Sequence, residues 1–162
     1  MFDLGRGLLA SAERMPDAIA ISDGDKRLTY AQWRDEILRV VGGLDASGLV
    51  AGDHVCTLLS NRMEAASLHM ACQIAGIAIT PLNWRATTEE LDYVLADSRA
   101  KALVFEPLTN QTVAASDPAM LLRRIGVDAA PAAGVPWEAI AEAEPAESVA
   151  RATQETTSVM LY

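Results

Sequence analysis

Residues 53–105 alternate short apolar runs with capped amphipathic segments, and that alternation admits few architectures. The runs at 53–59, 77–82 and 102–105 are brief and largely apolar, as strands buried on both faces are. Asn61 with Glu64, and Thr87 with Glu90, have the reciprocal spacing that satisfies the free N–H groups at a helix start. After the first pair, Ala65, Leu68, Cys72 and Ala75 recur at helical spacing up to Gly76, a residue suited to ending a helix. Leu91, Val94 and Leu95 mark one face of a second, shorter helix. Strands that alternate with helices predict a mostly parallel sheet, because neighbours running the same way need a crossover between them.

The flanking chain extends this plan. Residues 4–14 form an amphipathic pattern that Met15-Pro16 ends. Two short runs, 18–22 and 27–29, enclose Asp23-Gly24-Asp25-Lys26 and predict a β-hairpin. Thr29 and Gln32 form another capping pair, followed by Trp33, Ile37, Val40, Val41 and Leu44 on one helical face. Gly48 and Gly52 bracket the turn into the central stretch. Beyond Phe105 the pattern predicts a helix at 110–115, a strand or helix at 121–127, a loop at 129–136 and helical turns at 137–143. The Glu-rich stretch from 138 to 155 reads as a solvated surface, and 158–162 as the start of a buried strand that breaks off in mid-pattern. The expected fold class is therefore α/β: a mostly parallel sheet with helices on both faces, preceded by a short β-hairpin.

Charge and composition exclude several functions. At 162 residues and 51% hydrophobic content the chain is long and apolar enough for a packed core. A net charge of −9, with no basic run, makes nucleic acid a poor partner. The apolar stretch 65–82 is interrupted by His69, Gln73, Gly76 and Pro81, so no membrane span is expected. With no secretory layout at the start, the expected location is cytoplasmic. Cys56 and Cys72 match no metal or redox spacing and are expected to be buried, reduced thiols. His54 and His69 lack partners spaced as metal ligands, the serines lack a nucleophile elbow, and Asp92, Asp97, Glu89 and Glu90 read as surface charges. Neither Gly5-Arg6-Gly7 nor Gly42-Gly43 belongs to a phosphate-binding fingerprint.

Asn83-Trp84-Arg85 carries more chemistry. It follows a predicted strand and precedes a helix cap, the position where α/β sheets line their ligand crevice. Arginine there can grip a phosphate through its fork of donors. Alternatively, Trp84 packs as a core lid and Arg85 pairs with Glu89 or Glu90.

Four blocks in order, RLTYAQWRDE, GLVAGDHVCTLLSN, GIAITPLNWRATTEELDYVLADSRAKALV and the final TTSVMLY, resemble the N-terminal part of the AMP-forming acyl-CoA synthetase family. The likeness covers about the whole chain except residues 106–150. The Pro81–Arg85 segment resembles the CoA-ligase form rather than the peptide-synthetase form. The resemblance implies that ATP, with Mg²⁺, activates a small carboxylic acid as an acyl-adenylate, from which CoA displaces AMP. It also implies that 1–162 is an N-terminal subdomain cut just before the phosphate-binding loop, whose partner is the remainder of the synthetase. Such a piece is expected to be inactive alone, to bind none of these cofactors tightly, and to self-associate through an exposed apolar face. A non-catalytic interaction module, or an adenylating enzyme that serves a carrier protein or an amino acid, are the alternatives. By resemblance Arg85 would contact a phosphate of the CoA nucleotide, and it is the single site residue the likeness transfers.

Overall fold

A computed structural model describes residues 3–130, 133–147, 150–153 and 155–162. Its centre is a five-stranded, wholly parallel sheet built from β3 (His54–Leu58), β4 (Ala78–Pro81), β5 (Ala102–Phe105), β6 (Arg123–Gly126) and β7 (Val135–Pro136), in the order β4-β3-β5-β6-β7. β3 lies between β4 and β5, with His54 opposite Ala78 and Val55 opposite Ala102. Each residue of β3 is buried, as both faces of the sheet are covered.

The strand alternation sorts the core into two layers. Val55, Ile79, Ala102, Val104 and Ile125 pack with α1 (Leu4–Arg14), α2 (Tyr30–Ala46), α3 (Met63–Ala75) and α7 (Trp137–Ala141). Cys56, Leu58, Leu103 and Phe105 pack with α4 (Thr88–Ser98), α5 (Asn110–Ala114) and α6 (Asp117–Met120). Both cysteines are free and buried, and burial pushes the Cys72 thiol up to about 12. The expected fold class is the one observed.

Where local partners exist, the capping signals operate. Thr29 and Gln32 form a reciprocal box at the start of α2, as do Thr87 and Glu90 at the start of α4. Gly76 ends α3 in the left-handed conformation, φ +74°. Asn61 does not cap α3. The helix begins after Arg62, and its first N–H, from Met63, is taken at 3.0 Å by Asp23. Asp23 belongs to the hairpin of β1 (Ile19–Asp23) and β2 (Lys26–Thr29), so a tertiary acceptor replaces the local one. Two further expectations need correction. The 129–136 loop contains β7, which forms because β6 offers it an open edge. Residues 158–162 make no buried strand: Val159 forms a single parallel bridge to Ile79 on the outer edge of β4, and Leu161 is 78% exposed.

His54 is a structural residue. Its Nδ1 donates to the Ser98 carbonyl at 3.0 Å, and its Nε2 accepts from the Thr80 hydroxyl at 2.7 Å, tying β3 to β4 and to the end of α4. Asp53 performs a similar task one residue earlier. Its carboxylate lies 2.5 Å from Lys101 Nζ and accepts the Val50 N–H at 2.9 Å. Burial pushes its pKa up, but the bonds from Lys101 and Val50 outweigh that and hold it below the ordinary value of 3.8. A depressed carboxylate stabilises the fold above its unfolded pKa and stops doing so as pH falls through its folded one. The stability gap between wild type and Lys101→Met is therefore expected to be full near neutrality and to close as pH falls below 3.8. Urea titrations across that range check it; a gap independent of pH would remove Asp53 from the account.

Candidate functional site

The turn after β4 is locked from its own backbone. The Leu82 N–H still donates to Thr57 on β3, at 2.9 Å, so the chain leaves the sheet only at Asn83. The Asn83 side chain then accepts the Arg85 N–H at 2.9 Å, and its carbonyl accepts the Ala86 N–H at 2.8 Å. This is the asparagine turn chemistry in which a side chain stands in for backbone. Thr87 follows directly with its capping box, leaving Trp84 and Arg85 as the two side chains presented outward.

Arg85 is exposed on this rim, with its guanidinium carbon 4.5 Å from the centre of the Trp84 ring. The ion pair that sequence allowed does not form. Glu90 turns back to accept the Thr87 N–H at 2.8 Å. Glu89 is held below the ordinary carboxylate range by its own backbone N–H and by Thr87. No carboxylate among the described residues lies within ion-pair distance of Arg85. Trp84 is no core lid either, being 38% exposed.

Arg85 lines a cleft of about 500 Å³ together with Pro81, Leu82, Glu90, Tyr93 and Tyr162. The two tyrosines meet edge to face, with ring centres 6.0 Å apart. Tyr162 donates its hydroxyl to Asp97 at 2.6 Å, and that bond pushes its pKa up to about 12. Arg85 is the cleft's one cation among the described residues, and the Glu90 carboxylate that also lines it is engaged by the Thr87 N–H, so the cleft suits a ligand that is anionic at one point and planar or apolar elsewhere. Among the described residues, no group of three or more His, Cys, Asp or Glu side chains is placed to hold a metal ion, and no helix is long and apolar enough to cross a membrane.

The position of this cleft at the β4 edge has a cause. The strand order reverses between β3 and β5, and the carboxyl ends beside such a reversal are where open α/β sheets usually take ligands. Here that crevice is filled by side chains. Arg62, after β3, reaches Glu64 at 2.7 Å, Glu106 (after β5) at 3.1 Å and Asp128 (after β6) at 2.5 Å. Glu106 also accepts the Ser60 N–H. Burial would lower the Arg62 pKa, but Glu64, Asp128 and Glu106 together hold it above the usual range. These residues lie far apart in sequence and share no motif. The one available signal was a glutamate placed directly after the apolar run Ala102–Phe105.

Comparisons with known proteins agree with one another. The family model described as AMP-binding enzyme matches residues 8–162. A feruloyl-CoA synthase from Amycolatopsis sp is 38% identical over 120 residues, covering 74% of this chain and 24% of that protein. A 2-succinylbenzoate–CoA ligase from Bacillus licheniformis is 36% identical over 106 residues, covering 65% of this chain and 22% of that protein. The crystal structure of a benzoate CoA ligase from Burkholderia xenovorans LB400 superposes on the whole chain with a TM-score of 0.86 at 20% identity, and the match takes in 33% of that enzyme. The chain thus spans about a quarter to a third of the length of the proteins it matches.

Proposed function

This chain belongs to the AMP-binding enzyme family, and from that premise we propose that it is the N-terminal part of an acyl-CoA synthetase in which Arg85 contacts a phosphate of CoA. In this reading the complete enzyme uses ATP and Mg²⁺ to activate a carboxylic acid as its adenylate and passes the acyl group to CoA. Residues 1–162 are a subdomain that supplies one wall of the CoA site. The triphosphate and the metal are handled by the remainder of the synthetase, which is its principal partner. The exposed Leu121 and Leu161 are surface that this remainder covers.

One observation carries the reading. Arg85 is an exposed arginine with no carboxylate partner among the described residues, held on a rigid turn over a cleft large enough for part of a nucleotide. An arginine so placed keeps its donors free for a phosphate. Binding to this chain alone is expected to be weak, so the test is an NMR titration of the 162-residue protein. CoA is expected to shift the Trp84 indole and Arg85 Nε–H signals, whereas pantetheine, which lacks the nucleotide phosphates, leaves them in place. Arg85→Gln should weaken CoA binding about tenfold, the worth of one charge-assisted contact. Equal CoA affinity in Arg85→Gln and wild type would remove the arginine from the site.

A further inference from the structure

We propose that Trp84 is a positioning residue for Arg85: its indole face holds the guanidinium over the cleft while leaving the donors at the guanidinium edge free for a phosphate. The inference deepens the reading of Arg85 as a phosphate contact and rests on it. Three observations carry it. The guanidinium carbon lies 4.5 Å from the Trp84 ring centre, within the range where the ring's negative face attracts a cation. Arg85 lines the cleft and Trp84 does not, so the indole reaches a ligand there through the arginine. The backbone that joins them is fixed by the Asn83 side chain and carbonyl, which keeps the two side chains in register.

The stack and the phosphate do not compete. A guanidinium is planar, with its five N–H donors in the plane and its faces free of donors. An aromatic ring occupies a face; a phosphate takes an edge. An unstacked arginine on an exposed rim samples many rotamers, and each must be given up when a phosphate binds. Stacking removes that cost beforehand, which is how a neighbour improves affinity without touching the ligand.

The test is a double-mutant cycle on the 162-residue chain, with CoA as the probe and the Trp33 and Trp137 indole signals as reporters of an intact fold. Trp84→Ala is expected to weaken CoA binding about threefold, as the loss of an exposed cation–π contact allows. Trp84→Phe, which keeps a ring face, should restore it. In an Arg85→Gln background Trp84→Ala should have no effect, because nothing is left to position. Nitrogen relaxation at Arg85 Nε supplies a readout independent of any ligand: the side chain should become more mobile in Trp84→Ala and stay restrained in Trp84→Phe. Weakening by Trp84→Ala in both backgrounds would mean that the indole touches CoA directly, and tighter binding would mean that the stack withholds the arginine; either overturns the inference and leaves the CoA site standing. If neither residue affects CoA, the CoA reading fails, and the relaxation data alone decide whether Trp84 restrains Arg85.

Discussion

Gly43→Ala is expected to lower the melting temperature by about 6 °C, although alanine is the better helix former. Gly43 lies within α2, where α7 crosses it. A Cβ at this position would stand 2.2 Å from the Ile140 carbonyl oxygen and 2.6 Å from the Ile140 Cα. Those are backbone atoms of a helix whose Trp137 and Ile140 are buried in the core, so no side chain can swing aside. Gly42 meets the next stretch in the same way, 1.9 Å from the Glu144 carbonyl oxygen. The Ala146 N–H donates to Leu38 on α2 at 2.9 Å, which fastens this stretch to the same helix. Overpacking of this kind costs about 1–3 kcal/mol and outweighs the ~0.5–1 kcal/mol that alanine gains over glycine in a helix. Gly7→Ala is the control. Gly7 is also helical, in α1, with nothing within 4 Å of its would-be Cβ, so the same substitution should stabilise there. Thermal melts of the two variants settle the matter. If both move upward, α7 does not sit on α2 as described.

That contact also shows what local pattern could and could not reveal. Residues 138–155 read as a solvated acidic surface because their side chains are mostly Glu and Ala. What meets Gly42 and Gly43 on α2 is their backbone, which composition does not report, and Ile140, the one large buried side chain among the described residues of the stretch, is too little to mark it as packed. The signal lay on the other partner, in a Gly-Gly pair inside an otherwise regular helical pattern, a mark of close backbone approach. The alternating centre was legible because every rule that applied to it was local. Thr29 and Thr87 found their acceptors three residues on, and Ala102–Phe105 is a strand with the expected bounds. Asn61 failed as a cap because Asp23, from a hairpin distant in sequence, supplies the acceptor. The candidate site divides the same way. Arg85 stands in a recognisable motif, whereas the same cleft's Tyr93 and Tyr162 are a pair that only the folded chain brings together.

Arg62→Met is expected to cost about 3 kcal/mol, because it strands a buried carboxylate. The Glu106 side chain is 6% exposed and that of Arg62 17%, so water replaces little of what is lost. The Ser60 N–H would still bind Glu106, but no cation would remain beside it. The size of the effect should follow burial rather than distance. Asp128 sits closer to Arg62, at 2.5 Å, yet its side chain is 67% exposed, so Asp128→Asn should cost under about 1 kcal/mol. Neutralising the stranded partner should recover part of the loss: Arg62→Met/Glu106→Gln is expected to be more stable than Arg62→Met alone. Urea midpoints for the three variants and wild type give the comparison, and an Asp128→Asn loss as large as that of Arg62→Met would contradict a network centred on Glu106. The same network accounts for the placement of the candidate site. An arginine and three carboxylates, fully engaged with one another, occupy the crevice beside the strand reversal where such sheets ordinarily receive ligands. A ligand there would have to displace bonds that hold β3, β5 and β6 together at their carboxyl ends. One strand over, beside β4, the turn is rigid, the arginine is unpaired among the described residues, and a cleft is already open. The ion network and the rim arginine are therefore complementary: the first closes the default crevice, and the second leaves an unpaired cation beside the open cleft at the sheet edge, where the proposed phosphate contact would lie.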